Sequence, residues 1–217
     1  MKFAIVPVKD LSKAKERLSS VMPQDVRTDL AYAMLEDVLT ALKGSRLLDR
    51  ILVVTMDRNA MRIAGDMGIE IIEETEQKGE SDSVDRASRI CKDMGAESVL
   101  VIPGDAPLIT PEDIDFIAGK EMGPPSVILV PARDKMGTNA ILRNPPDAIP
   151  SRFGHDSFRK HIEEAEKKGI RIEYYENERV GLDIDHPDDL KKFASKKSDT
   201  RTYELLLSKN ILGKISG

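Results

Sequence analysis

The stretch that decides the fold is FAIVPVKDLSKAKERL, residues 3–18, in which an apolar run over 3–8 gives way at once to Lys9, Lys13, Lys15 and Arg17. Four cations in nine positions stand out in a chain whose 33 basic and 38 acidic residues leave a formal charge of −5. Such a run reads either as a solvated loop and helix start or as an anion site at the carboxyl end of a strand, where open α/β sheets bind their ligands.

Working outward, short strand-like runs recur at 51–54, 69–72, 98–102, 126–130, 139–142 and 170–175. Leu30, Met34, Leu35, Val38, Leu39 and Leu42 share one face of a helix predicted over 24–43 and closed by Gly44. Further helices are predicted over 58–67 and 83–94 and after Pro111. This alternation predicts an α/β fold with one mostly parallel sheet and helices on both faces. The near-continuous apolar runs suit strands buried on both sides. SVILVPARDKMGTNAIL (126–142) reads strand, loop, strand, which predicts a local antiparallel excursion. Residues 1–197 form one domain in this reading, and 198–217 a C-terminal arm carrying Tyr203, Leu205, Leu206, Leu207, Ile211 and Leu212. Apolar surface beyond a complete core either folds back or finds a second subunit, and the expectation here is a homodimer.

Composition narrows the class. A chain of 217 residues with 40% hydrophobic and 33% charged residues suits one globular domain. No apolar stretch approaches the ~20 residues of a membrane span, and the start lacks a signal-peptide pattern. The single cysteine, Cys91, excludes an internal disulfide and a cysteine zinc cage, so a cytoplasmic setting is expected. An acidic chain with 4% aromatic residues disfavours a nucleic-acid partner.

Four motifs carry chemistry. PVKDLSKAKERL (7–18) offers ammonium and guanidinium donors to phosphates but is neither a P-loop nor a GxGxxG turn. PGDAPLI (103–109) delivers Asp105 straight after an apolar run, either as a turn-former or as a functional carboxylate. In GLDIDHPDDL (181–190), Asp183 and Asp185 are two apart and share a side of an extended segment. Two such anions repel unless a cation sits between them, and magnesium, which takes one or two carboxylates with water and phosphate oxygens, is the natural one. Alternatively Asp185 caps the helix that begins at Pro187. GTNAIL (137–142) and FGHDSFRKH (153–161) place Thr138, Gly154 and Ser157 in small polar loops, which read as an anion pocket or as helix caps.

In that chain order, these segments resemble the 2-phospho-L-lactate guanylyltransferases of deazaflavin coenzyme biosynthesis, over roughly residues 2–195. The family is similar to the molybdenum-cofactor guanylyltransferases, whose Gly-rich opening loop PVKDLSKAK replaces. The resemblance implies a single-domain Rossmann-like nucleotidyltransferase fold. It implies Mg²⁺-dependent transfer of GMP from GTP to 2-phospholactate, or to phosphoenolpyruvate or phosphoglycerate, with release of diphosphate. It also implies roles: Lys9, Lys15 and Arg17 on the GTP phosphates; Asp105 in catalysis; Asp105, Asp183 and Asp185 on metal; Thr138, Gly154 and Ser157 on the acceptor phosphate. Relatives often carry Gly-Leu-Asn after the third strand, where this chain has Gly79-Glu80-Ser81-Asp82-Ser83, which leaves base choice open. The alternatives are a cytidylyl- or molybdopterin-directed transferase, and a catalytically silent nucleotide-binding module. If repulsion dominates among the three aspartates, Asp105→Asn and Asp183→Asn should both be tolerated by the metal-free fold.

Overall fold

The first strand, β1 (Lys2–Val8), feeds two cores at once. Ala4, Val6 and Val8 enter one apolar cluster and Phe3 and Ile5 another, because successive side chains of a strand point to opposite faces. The computed structural model describes residues 1–76, 78–120 and 122–215. After β1 come α1 (Gln24–Gly44), β2 (Arg50–Thr55), α2 (Arg58–Asp66), β3 (Glu70–Glu73) and α3 (Glu80–Asp93). Then follow β4 (Ser98–Val101), α4 (Pro111–Gly119), β5 (Ser126–Pro131), β6 (Thr138–Asn144) and α5 (Ser157–Lys167). The chain ends with β7 (Arg171–Tyr174), α6 (Pro187–Ser195), α7 (Arg201–Ser208) and α8 (Ile211–Ile215).

Seven strands form one sheet in the order β3-β2-β1-β4-β6-β5-β7. β6 runs antiparallel to β4 and β5, the excursion that the sequence predicts, and the other pairs are parallel. From β1 the chain winds out through β2 to β3, then returns to set β4 on the other side of β1. That reversal opens a crevice at the carboxyl ends of β1 and β4.

One face of the sheet is covered by α1, α2 and α4, through residues such as Leu39, Ile63 and Ile114. The other is covered by α3 and α5, through Val84, Ala87 and Phe158. α3 begins at Glu80, three residues before the apolar pattern announces it. α4 is started by Thr110 and Asp113, whose side chains cap each other's backbone N–H, with Pro111 in the first turn.

A third cluster lies off the sheet. Val26, Leu30 and Met34 of α1 pack with Leu190 and Phe193 of α6, Leu206 of α7, and Ile211. The C-terminal arm thus folds back on its own chain: Asp37 of α1 accepts the N–H groups of Arg201 and Thr202 at 2.8 and 3.0 Å. Among the described residues no helix is long and apolar enough to cross a membrane.

Candidate active site

The cationic loop after β1 is tied down from three sides. Leu11 N–H donates to Asp57 Oδ2 at 2.9 Å, and Asp57 also caps α2. Thr28 Oγ1 donates to the carbonyl of Ser12 at 3.2 Å. Lys15 sits at φ 56°, a left-handed conformation costly for a residue with a Cβ. Its ammonium holds it there, reaching Asp105 Oδ2 at 3.0 Å and Asp185 Oδ1 at 2.8 Å. Burial alone would lower the Lys15 pKa, but the two carboxylates outweigh it and raise it above the usual lysine range.

The carboxylates come from two loops. β4 ends at Val101, and the turn through Pro103-Gly104 presents Asp105 at the crevice. Asp183 and Asp185 alternate with Leu182 and Ile184, which are buried in the third cluster. Burying each of those apolar side chains contributes about 1.5–3 kcal/mol, and it turns both aspartates to the opposite side. Ile184 N–H donates to the Asp105 carbonyl at 3.1 Å, locking the two loops together. Gly181 lets the start of the second loop pass close to other backbone, since a Cβ there would lie 2.9 Å from the carbonyl oxygen of Asn177 and 3.2 Å from that of Pro131. Asp185 does not cap α6; His186 takes that place, paired with Asp189.

One ligand oxygen from each of Asp105, Asp183 and Asp185 lies within 4.8 Å of the others. Lys15 already supplies the cation between Asp105 and Asp185, a partner that the spacing of the aspartates does not reveal. Asp183 differs: its side chain accepts from Asn139 Nδ2 at 2.9 Å and has no cationic partner among the described residues. Burial, then the charge of Asp105, pushes its pKa up to about 6. In Asp185, Lys15 overrides burial and lowers the pKa. Three hard oxygen donors, one of them lacking a counter-charge, form a set that can hold a divalent metal.

Two cavities meet at these carboxylates. One, of about 430 Å³, lies under the cationic loop and is lined by Lys9, Lys13, Lys15, Glu74 and Glu80. The other, of about 860 Å³, is lined by Arg17, Thr138, Asn139, Gly154, Ser157 and Asp183. Asp105, Asp185, Lys9 and Glu80 belong to both walls. Every site residue expected from sequence therefore lines one cavity or the other. Lys9 and Arg17 are held loosely: Lys9 Nζ is 3.2 Å from Glu80 Oε2, and Arg17 Nη1 is 3.5 Å from Asp185 Oδ2.

Ser157 opens α5 as its first residue, after Asp156 at φ 58°, and neither side chain caps the helix. Three residues of the site escape a reading by motif role. Asn139 orients Asp183, and its signal is only its place beside Thr138. Glu80 lies in the segment that departs from the family pattern; burial raises its pKa while Lys9 opposes. His161 contacts Thr138 from behind the wall, and nothing in its spacing marks it.

The chain matches a family model described as "Guanylyl transferase CofC like" over residues 1–215. It is 38% identical over 189 residues to the phosphoenolpyruvate guanylyltransferase of Conexibacter woesei, covering 87% of this chain and 85% of that protein. It is 32% identical over 203 residues to the 2-phospho-L-lactate guanylyltransferase of Methanothermobacter thermautotrophicus, covering 94% and 88%. In fold it is similar to a crystal structure from Desulfovibrio desulfuricans G20 assigned as a nucleotide-diphospho-sugar transferase. That match has a TM-score of 0.80 at 18% identity and covers 99% of this chain and 97% of the other.

Proposed function

This chain belongs to the CofC-like guanylyl transferase family, and on that premise we propose that it transfers GMP from GTP to the phosphate of a small phospho-acid, 2-phospho-L-lactate or phosphoenolpyruvate. Diphosphate is the second product, and the pathway is deazaflavin coenzyme biosynthesis, in the cytoplasm. The observation that carries this reading is the convergence of Asp105, Asp183 and Asp185 where two cavities meet, with Asp105 and Asp185 lining both and Asp183 the larger. A two-substrate phosphoryl-type transfer needs that arrangement: one chamber for each substrate, and charge control where they meet.

In this reading the smaller cavity takes GTP. Lys15 spends two of its three N–H donors on Asp105 and Asp185, and the third faces a phosphate oxygen. Lys9, which lines both cavities, is loosely paired and turns from Glu80 to the triphosphate at little cost; Arg17 lines the larger cavity and turns from Asp185 to the phosphates where the two chambers meet. The larger cavity takes the phospho-acid on Thr138, Gly154 and Ser157. A phosphate oxygen of the acceptor attacks the α-phosphorus of GTP. The new P–O bond forms as the bond to the β-phosphate bridging oxygen breaks, and diphosphate leaves with that electron pair. The acceptor phosphate is already ionised, so no covalent enzyme intermediate is needed.

Magnesium suits the donor set, since it takes few carboxylates and completes its shell with water and phosphate oxygens. Bound by Asp105, Asp183 and Asp185, it would neutralise charge on the reacting phosphates. Asn139 keeps Asp183 turned toward that place.

A homodimer is the remaining proposal. Since Leu206 and Ile211 are spent within the chain, a second subunit would have to cover the exposed Leu207 instead. Light scattering at micromolar concentration tests it.

Diphosphate release, measured across GTP, CTP and ATP with each phospho-acid, tests the function. Release with GTP and a phospho-acid supports the reading. Release with CTP alone makes the chain a cytidylyltransferase, and binding without release makes it a silent module.

A further inference from the structure

The proposed reaction leaves one buried titratable group behind the acceptor cavity without a role. His161 of α5 is 0% exposed, and Thr138 in front of it is 4% exposed. The backbone N–H of Arg152 donates to His161 Nε2 at 2.9 Å. An amide can only donate, so Nε2 carries the lone pair and not a proton. The ring is neutral at working pH: burial first, then the charges of Arg143 and Arg152 against that of Asp85, lowers its pKa to about 3. A neutral ring keeps one proton, and with Nε2 accepting it resides on Nδ1.

His161 Nδ1 lies 3.0 Å from Thr138 Oγ1. The polarity of that bond follows from the other side of the ring: Nδ1–H donates and the hydroxyl accepts. Phe153 packs edge-on against the imidazole at 5.2 Å and 74°, which restrains its rotation. The proton of the Thr138 hydroxyl then has no acceptor among the described residues. Its residue lines the larger cavity beside Gly154 and Ser157.

We infer that His161 is a positioning residue, relaying the fixed direction of the Arg152 N–H so that the Thr138 hydroxyl is held as a donor toward the anion of the phospho-acid. A free hydroxyl rotor could present a lone pair to the incoming anion, which offers only acceptors. With one of its two lone pairs engaged by His161 Nδ1–H, the hydroxyl cannot turn its proton toward the ring, and the acceptor left within reach of that proton is the anion in the cavity. The inference rests on the larger cavity being the acceptor site.

Steady-state kinetics on the full chain with GTP and phosphoenolpyruvate or 2-phospholactate tests it, using Thr138→Val, His161→Phe, the double variant and His161→Asn. Thr138→Val and His161→Phe should each raise the phospho-acid KM by about tenfold, the double variant no further, with the GTP KM unchanged. His161→Asn, whose amide can donate from near the Nδ1 position, should return the KM to within about threefold of the parent. A normal phospho-acid KM in His161→Phe, with a raised one in Thr138→Val, overturns the inference and leaves the acceptor site standing. A normal KM in Thr138→Val overturns both. Should His161→Phe fail to fold, nitrogen-15 NMR of the parent decides: a protonated Nδ1 with His161→Asn active supports the relay, and a protonated Nε2 refutes it.

Discussion

Lys15 Nζ lies 2.8 Å from Asp185 Oδ1, a contact between residues 170 positions apart in the chain. With the second contact to Asp105 at 3.0 Å, it divides the three carboxylates into two that own a cation and one that does not. Substitutions that look equivalent in the sequence are therefore opposite in the fold.

Asp183→Asn should stabilise the metal-free protein above pH 6. The folded pKa of Asp183 is raised to about 6, while the unfolded value is near 3.9. Folding is thus penalised progressively as pH rises between those values, and the full penalty persists above them. Removing the charge recovers at most about 3 kcal/mol, less after solvent screening, and the new amide oxygen still accepts from Asn139. Thermal unfolding in EDTA should give a higher Tm than the parent at pH 8 and a smaller gain at pH 5. An unchanged Tm at pH 8 would remove the repulsion from the account.

Asp105→Asn should do the reverse. It leaves the Lys15 ammonium, whose side chain is 9% exposed, with one carboxylate in place of two. A loss of about 1–3 kcal/mol is expected, read as a lower urea midpoint at unchanged slope. Equal stability would mean that Lys15 is held by Asp185 alone.

Much of this arrangement was legible in the sequence, because strands buried on both faces announce themselves as apolar runs. The five inner strands and the antiparallel turn of β6 follow from such runs, while the edge strands β3 and β7, largely exposed, are marked only by short β-branched stretches. The start of α3 did not, since its first turn, Glu80-Ser81-Asp82, is polar and its core contacts begin later, with Ser83 and Val84. Nor did the docking of α7, which depends on Asp37 of a helix 165 residues earlier. The site residues were visible as motifs, but their pairing was not: Lys15 reads as a phosphate ligand until Asp105 and Asp185 are seen on either side of it.

Acid stability should carry the mark of His161. The unfolded imidazole takes a proton near pH 6.5 and the folded one near pH 3. Between those limits the unfolded state binds more protons, so stability falls as pH falls, by up to about 1.4 kcal/mol per pH unit from this group. Above pH 6.5 the contribution is flat. The difference between the parent and His161→Asn in urea midpoint against pH isolates it; parallel curves from pH 6.5 to 4 would contradict a buried neutral ring.

Lys9→Ala should weaken GTP binding by about tenfold or more, the worth of a charge-assisted phosphate contact, and leave the phospho-acid KM nearly unchanged. Its ion pair with Glu80 is made by an exposed lysine side chain, so the fold should lose little. Calorimetry with GTP measures this, and an unaltered affinity would take Lys9 out of the nucleotide site.

The most direct test of the central claim is diphosphate release from GTP and a phospho-acid, titrated with magnesium, in the parent and in Asp183→Asn. The parent should release diphosphate only with magnesium and both substrates present. The variant should be slower by at least about a hundredfold at saturating magnesium, although its fold is as stable or more so. Near-parental, magnesium-dependent release by Asp183→Asn would contradict the claim that Asp105, Asp183 and Asp185 together hold the metal of a guanylyl transfer.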